Sequence, residues 1–288
     1  MYRNIEPESF HLLLDRGTMK KNRLNHLVVL IKGAGEMGTG VASRLFRANF
    51  RNIVMLETAS PLAVRRRVSF CEAIHDDTMA VEGIEAVKVS EGYEVIEAWE
   101  AGKIAVRVDP KWESIRELKP DILVDAILAK RNLGTSIADA SLVIALGPGF
   151  VAGKDCHTIV ETNRGHNLGR LIGKGTAEAN TGIPGNIGGY TKERVLRSPC
   201  DGCFIAEKHI GSAVRTGDVI GRVGNAEVKA QIDGIVRGLI RPNSPVAVGL
   251  KIGDIDPRGD GDYCNTISDK ARALGGAVLE AILATNNR

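Results

Sequence analysis

At 288 residues, with 43% hydrophobic and 25% charged residues, the chain is long enough to bury a core and to form two domains. A net charge of +3 and 4% aromatic content argue against a nucleic acid or an anionic membrane as partner, since those need a basic face or stacking platforms. No apolar run reaches the roughly 20 residues that span a bilayer, the N-terminus shows no signal-peptide pattern, and five scattered cysteines make no disulfide framework, so a cytoplasmic location with reduced thiols is expected.

Residues 1–26 read as an N-terminal appendage ending in the basic MKKNRLNH. LVVLI, 27–31, is a continuous apolar run of the kind buried on both faces of a sheet. It leads into GAGEMGTG, 33–40, then a helical pattern, and RNIVMLE, 51–57, supplies a second strand. In this context Gly33, Gly35 and Gly38 form a dinucleotide-type loop: the first permits a tight turn, the second close approach to a pyrophosphate, the third helix-to-strand contact. Glu36 and Met37 lie within that loop, and the helix start offers amide donors. Glu57, 19 residues past Gly38, stands where an acid accepts from a ribose, favouring NAD over NADP.

After Ser60-Pro61, the run 65–67 of three arginines reads as a solvated helix face, with anion binding as the alternative. IAVRV, ILVDAIL and LVIAL continue the strands, with helical EVIEAWEAG and WESIRELK between them. Loops leaving strand carboxyl ends are where ligands sit, which selects Lys130, Arg131, Asn132, Gly147 and Gly149.

DCHTIVETNRGH, 155–166, concentrates reactive side chains. TIVET reads as a strand, and the eleven residues 147–157 before it are short for a parallel crossover, so an antiparallel return is expected. That places Cys156 and His157 at the edge facing the glycine loop and Asn163, Arg164 and His166 at the other, roughly 13 Å away. One metal cannot join both sets, and no metal site is expected. Adjacent strand residues point to opposite faces, so Cys156 and His157 are not an obvious nucleophile–base pair.

After about Tyr190 the chain becomes short β pieces with Gly, Asp-Gly and Pro. SPCDGCF with IGSAVRTGDVIGRV is echoed by AQIDGIV with PVAVGLKIGDI, and two such halves resemble the barrel-sandwich hybrid of biotinyl and lipoyl domains. Lys229 lies off the intervening hairpin, which argues against a swinging arm. Cys200 and Cys203 form one C-x-x-C without a second knuckle, a weak zinc signal. SDKARALGGAVLEAILA, 268–284, closes the chain as a helix packed on the body. The expected fold is α/β: a Rossmann-like, mostly parallel sheet domain over 27–190, then a small all-β, barrel-sandwich-hybrid-like domain with a C-terminal helix over 191–288.

GAGEMGTGVASRL, PLAVRRRVSF, VDAILAKRNLGT, ALGPGFVAGKDCHTIVETNRGHNLGR, NTGIPG with GGYTKERVL, and IDPRG before ISDKARALGGAVLEA together resemble the YqeB family. The resemblance implies an accessory or maturation protein for selenium-dependent molybdenum hydroxylases, binding NAD or a molybdopterin dinucleotide at the glycine loop. It further implies Cys156, beside His157, as a sulfur or selenium relay, and a hydroxylase apoprotein or cofactor-delivery protein as partner, with homo-oligomers allowed. Two rivals stand beside it: an NAD-dependent oxidoreductase, and a non-catalytic scaffold whose β unit docks on the hydroxylase.

Overall fold

The computed structural model describes residues 24–286. The N-terminal appendage lies outside the described residues except for a single 3-10 turn, Leu24–His26. From Val28 the chain builds a nine-stranded sheet in the order β3-β4-β5-β2-β1-β6-β7-β8-β9. At its centre β1 (Val28–Lys32) pairs in parallel with β2 (Asn52–Glu57) on one side and β6 (Ile122–Asp125) on the other. β5 (Ile104–Val108) and β4 (Ile84–Val89) extend the β2 side in parallel, and β3 (Thr78–Val81) closes it antiparallel. β7 (Leu142–Leu146) and β8 (Thr158–Val160) extend the β6 side, and β9 (Leu171–Ile172) closes that edge antiparallel.

Every residue of β1 is buried, because both faces are covered. On one face Val29, Ile31, Ile53 and Met55 share a core with Val41 and Leu45 of α1 (Glu36–Arg47) and Leu274 and Val278 of α5 (Asp269–Asn286). On the other, Val28, Leu30 and Leu56 pack with Val95 and Trp99 of α3 (Gly92–Glu100). Burying a side chain such as Leu45 contributes about 1.5–3 kcal/mol. Helices are otherwise few: α2 (Ala73–Asp76) and α4 (Ser114–Leu118) are single turns, β6 reaches β7 through one 3-10 turn, Ile137–Asp139, and β7 reaches β8 with no helix.

The remainder forms two four-stranded antiparallel sheets. One runs β10 (Val195–Arg197), β17 (Lys251–Asp256), β15 (Gly234–Leu239) and β12 (Ala213–Val214). The other runs β14 (Ala226–Lys229), β13 (Val219–Val223), β11 (Gly202–Ala206) and β16 (Pro245–Val246). Phe204, Ile220, Val236 and Ile252 fill the core between them. The two Asp-Gly steps of the repeat share a backbone shape, φ +156° at Gly202 and +154° at Gly234, yet begin strands of different sheets.

Two expectations are corrected by this arrangement. The Rossmann-like domain followed by a barrel-sandwich hybrid gives way to one large mixed sheet, antiparallel at both edges and poor in helices, joined to two separate antiparallel sheets. The antiparallel return is also wrong: Ile144 pairs with Thr158 and Leu146 with Val160 in parallel register. Eleven residues suffice because the connection carries no helix and runs as turns and isolated bridges such as Ala152 to Cys156.

Candidate functional site: a cationic cleft at the strand ends

In an open parallel sheet the carboxyl ends of neighbouring strands leave a crevice where successive connections depart in opposite directions. Here that point lies at β1, between β2 and β6. Two adjoining cavities open there. A chamber of about 490 Å³ lies over the glycine loop, lined by Gly33, Gly35, Glu36, Met37 and Glu57 with apolar neighbours. A cleft of about 890 Å³ continues from it, past Lys130 and Asn163-Arg164, to the β unit.

The glycines divide their roles. Gly33 turns the chain at φ +91°, with Ile127 backbone 3.2 Å from where a Cβ would stand. A Cβ on Gly38 would lie 2.1 Å from the Gly33 carbonyl oxygen, so Gly38 serves packing. Gly35 faces open space. Acids crowd this loop. Glu57 accepts from the Ala34 amide at 2.8 Å and the Thr58 amide at 3.0 Å, and burial raises its pKa. Glu36, in the first turn of α1, pairs with Arg65 at 3.2 Å.

The cleft has the opposite character. Arg65, Lys130, Arg164, Arg194, Arg237, Lys251 and Lys270 line it, against Glu36, Glu178 and Asp254. Arg164 forks onto Asp269 through bonds of 2.6 and 2.9 Å, which raises its own pKa and holds the Asp269 carboxyl down at about 2. Arg194 and Arg237 both bond the buried Asp254, and Arg237 also reaches Asp256 at 3.2 Å. Buried Arg65 donates to the carbonyls of Tyr263 (2.7 Å) and Thr266 (2.9 Å), tying the segment before α5 to the glycine loop. Lys130 and Lys270 make no ion pair among the described residues. Burial lowers the Lys270 pKa, the Arg164 and Lys130 charges lower it further, and the Glu36 and Glu161 charges offset part of that.

Buried Glu161 shapes the polar loop after β8: it accepts from the amides of Thr162 and Asn163, each at 2.7 Å, and of Glu178 at 2.8 Å. The parallel direction of β8 puts Asn163 and Arg164, rather than Cys156 and His157, at the cleft. That reverses the expected orientation of the segment. Cys156 is fully buried, and burial pushes its thiol up to about 11, which removes the basis for a relay. His157 accepts from the Val143 amide at 2.9 Å and secures the far edge of the sheet.

Other selected residues serve structure. Asn132 accepts from the amides of Gly134 and Thr135 within its own turn. Cβ atoms on Gly147 and Gly149 would stand 2.4 Å from the Thr162 hydroxyl and 2.6 Å from Arg131 backbone. Arg131 and His166 are exposed and line neither cavity. The arginine run is no solvated face: besides Arg65, Arg66 donates to the Leu239 carbonyl at 2.8 Å. Sequence reading missed Arg194, Arg237, Lys251 and Lys270, because nothing local to them signals that the β unit and α5 meet the sheet here. It also missed Lys32, buried at the end of β1, bonded to Thr135 at 2.9 Å and 4.9 Å from the Trp112 ring. Among the described residues no three His, Cys, Asp or Glu side chains cluster as a metal site, and no helix is long and apolar enough to cross a membrane.

No family model matches the chain. The YqeB protein of Escherichia coli (strain K12) is 49% identical to it over 258 residues, 90% of this chain and 48% of that protein. The chain belongs to the YqeB family. It spans about half the length of this curated YqeB relative.

Among solved structures, the chain is similar to an aspartoacylase family protein from Mesorhizobium loti, at 13% identity and a TM-score of 0.26 over 80% of this chain and 84% of that one. It is also similar to the product-bound ectoine utilization protein EutE (DoeB) from Ruegeria pomeroyi, at 11% identity and 0.23 over 79% and 56%. A succinylglutamate desuccinylase/aspartoacylase from Rhodobacter sphaeroides matches at 25% identity and 0.20 over 30% of each chain.

The functions expected from the sequence are corrected together with the fold. The 49% identity to the YqeB protein shows the family and does not show the expected link to selenium or molybdenum hydroxylases. At the glycine loop, Glu57 takes up the Ala34 and Thr58 amides, and Glu36 is paired with Arg65.

Proposed function

We propose that this chain binds a small anionic ligand, bearing phosphate or carboxylate, in the cleft between the strand ends and the β unit. One observation carries the reading: Lys130 and half-buried Lys270 line the cleft with Arg65, Arg164 and Arg237 and make no ion pair among the described residues, the Glu36 and Glu161 charges only partly offsetting the burial of Lys270. Drawing a cation out of water next to like charges is unfavourable, and an arriving anion relieves both penalties. Arg164, fixed by its fork onto Asp269, keeps guanidinium N–H donors outside that pair. The reading places this binding in the cytoplasm, in keeping with five free cysteines.

Titration calorimetry with inorganic phosphate, pyrophosphate and succinate tests it. Saturable binding to at least one is expected, weakening as salt rises. Lys270→Met should weaken that binding by about 10- to 100-fold, the worth of one charge-assisted bond. The same variant should raise the melting temperature of the ligand-free protein, because it removes a poorly solvated charge. Absence of saturable binding to all three anions overturns the reading.

A further inference from the structure

The cleft does not end at its cations. Glu36, Met37 and Leu128 line both cavities, so cleft and chamber form one continuous space with two chemistries. The chamber is walled by Leu56, Leu62, Pro110, Trp112, Ile127 and Leu133, and among the described residues no lysine, arginine or histidine lines it. An anion there would meet apolar walls and the carboxylates of Glu36 and Glu57. An apolar group would instead displace water from leucines left 47% (Leu62) and 41% (Leu133) exposed at its edge.

The backbone marks the same path. Trp112 in the chamber, Leu128 on the shared wall and Lys130 in the cleft take φ of +63°, +61° and +62°. Such left-handed conformations are unfavourable for bulky non-glycine residues and persist where the surroundings impose them. The Trp112 ring is held in place from behind. It lies over the Lys32 ammonium, itself bonded to Thr135 and 3.6 Å from Asp139.

We propose that the ligand is amphipathic, with an aromatic or aliphatic body in the chamber against Trp112 joined to a phosphate or carboxylate beside Lys130 and Lys270 in the cleft. This rests on the anion-binding reading and supplies the other half of the ligand. Both cavities fall within the size range of small-molecule sites. Apolar contact in the chamber adds affinity, while the acids at its floor keep the charged group in the cleft.

The experiment uses the full chain and two matched pairs of probes: methyl and phenyl phosphate, and acetate and phenylacetate, titrated by calorimetry at fixed ionic strength. In the pair whose anion binds, the phenyl member should bind at least about tenfold tighter, a difference of about 1.4 kcal/mol. Trp112→Ala should remove that increment and leave the affinity of the methyl member unchanged. Leu62→Asn, at an exposed position, should reduce the increment and guards against misfolding of the tryptophan variant. Equal affinities within a binding pair, or an increment untouched by both variants, overturn the amphipathic ligand while the anion site stands. Binding by none of the four overturns the anion site itself.

Discussion

Cys156 belongs to the apolar cluster that holds Val143, Phe150 and Ile159, and Cys203 is exposed on β11. Both read alike as thiols in sequence, and their surroundings separate them. Burial pushes the Cys156 thiol up to about 11, so it stays protonated at pH 8. Iodoacetamide at that pH should therefore modify Cys203 first and reach Cys156 only after unfolding, as read by peptide mass spectrometry. Early labelling of Cys156 in the folded protein would contradict its burial. Lysines part in the same way: Lys32 is covered by Trp112 and hydrogen-bonded, whereas Lys270 lines a cleft and makes no ion pair among the described residues. Side-chain type was legible in the sequence at all four positions, and the dielectric around each was not.

At the scale of elements, α1 and α5 show what close approach requires. A Cβ on Gly40 would stand 2.7 Å from Ala271, and one on Gly275 would stand 2.6 Å from the Gly40 carbonyl oxygen. These contacts let two helices share one face of the sheet at short range. Gly40→Ala should destabilise the protein by about 1–3 kcal/mol, the usual cost of overpacking, measured as a lower urea midpoint with an unchanged slope. The strand, loop and helix from Val28 to Arg47 were legible, since apolar run, glycines and helical period succeed one another locally. So was α5. The direction of β8 was not, because a connection of that length permits either sense, and pairing with β7 decides it.

At the scale of the molecule, the cleft joins segments far apart in the chain, and the Arg164–Asp269 pair spans one such gap. The folded-state pKa of Asp269 is depressed to about 2, so its contribution to stability is present above the unfolded carboxylate value of about 3.9 and lost as pH falls through about 2. Thermal melts between pH 5 and 2 should show that loss, and Asp269→Asn should flatten the curve there. A variant curve as steep as that of the native protein would refute the coupling. By itself the sequence determined the family, the glycine loop between its strand and helix, the β-rich second half and the closing helix, because motif, hydrophobic period and turn chemistry are written in adjacent residues. Only the tertiary structure decided the mixed sheet, the direction of β8 and the meeting of Arg65, Arg164, Arg237 and Lys270 around one cleft. Those features depend on strand pairing and on burial across the chain. DCHTIVETNRGH divides accordingly, its thiol end sealed in the core and its Asn163-Arg164 end opening on the cleft.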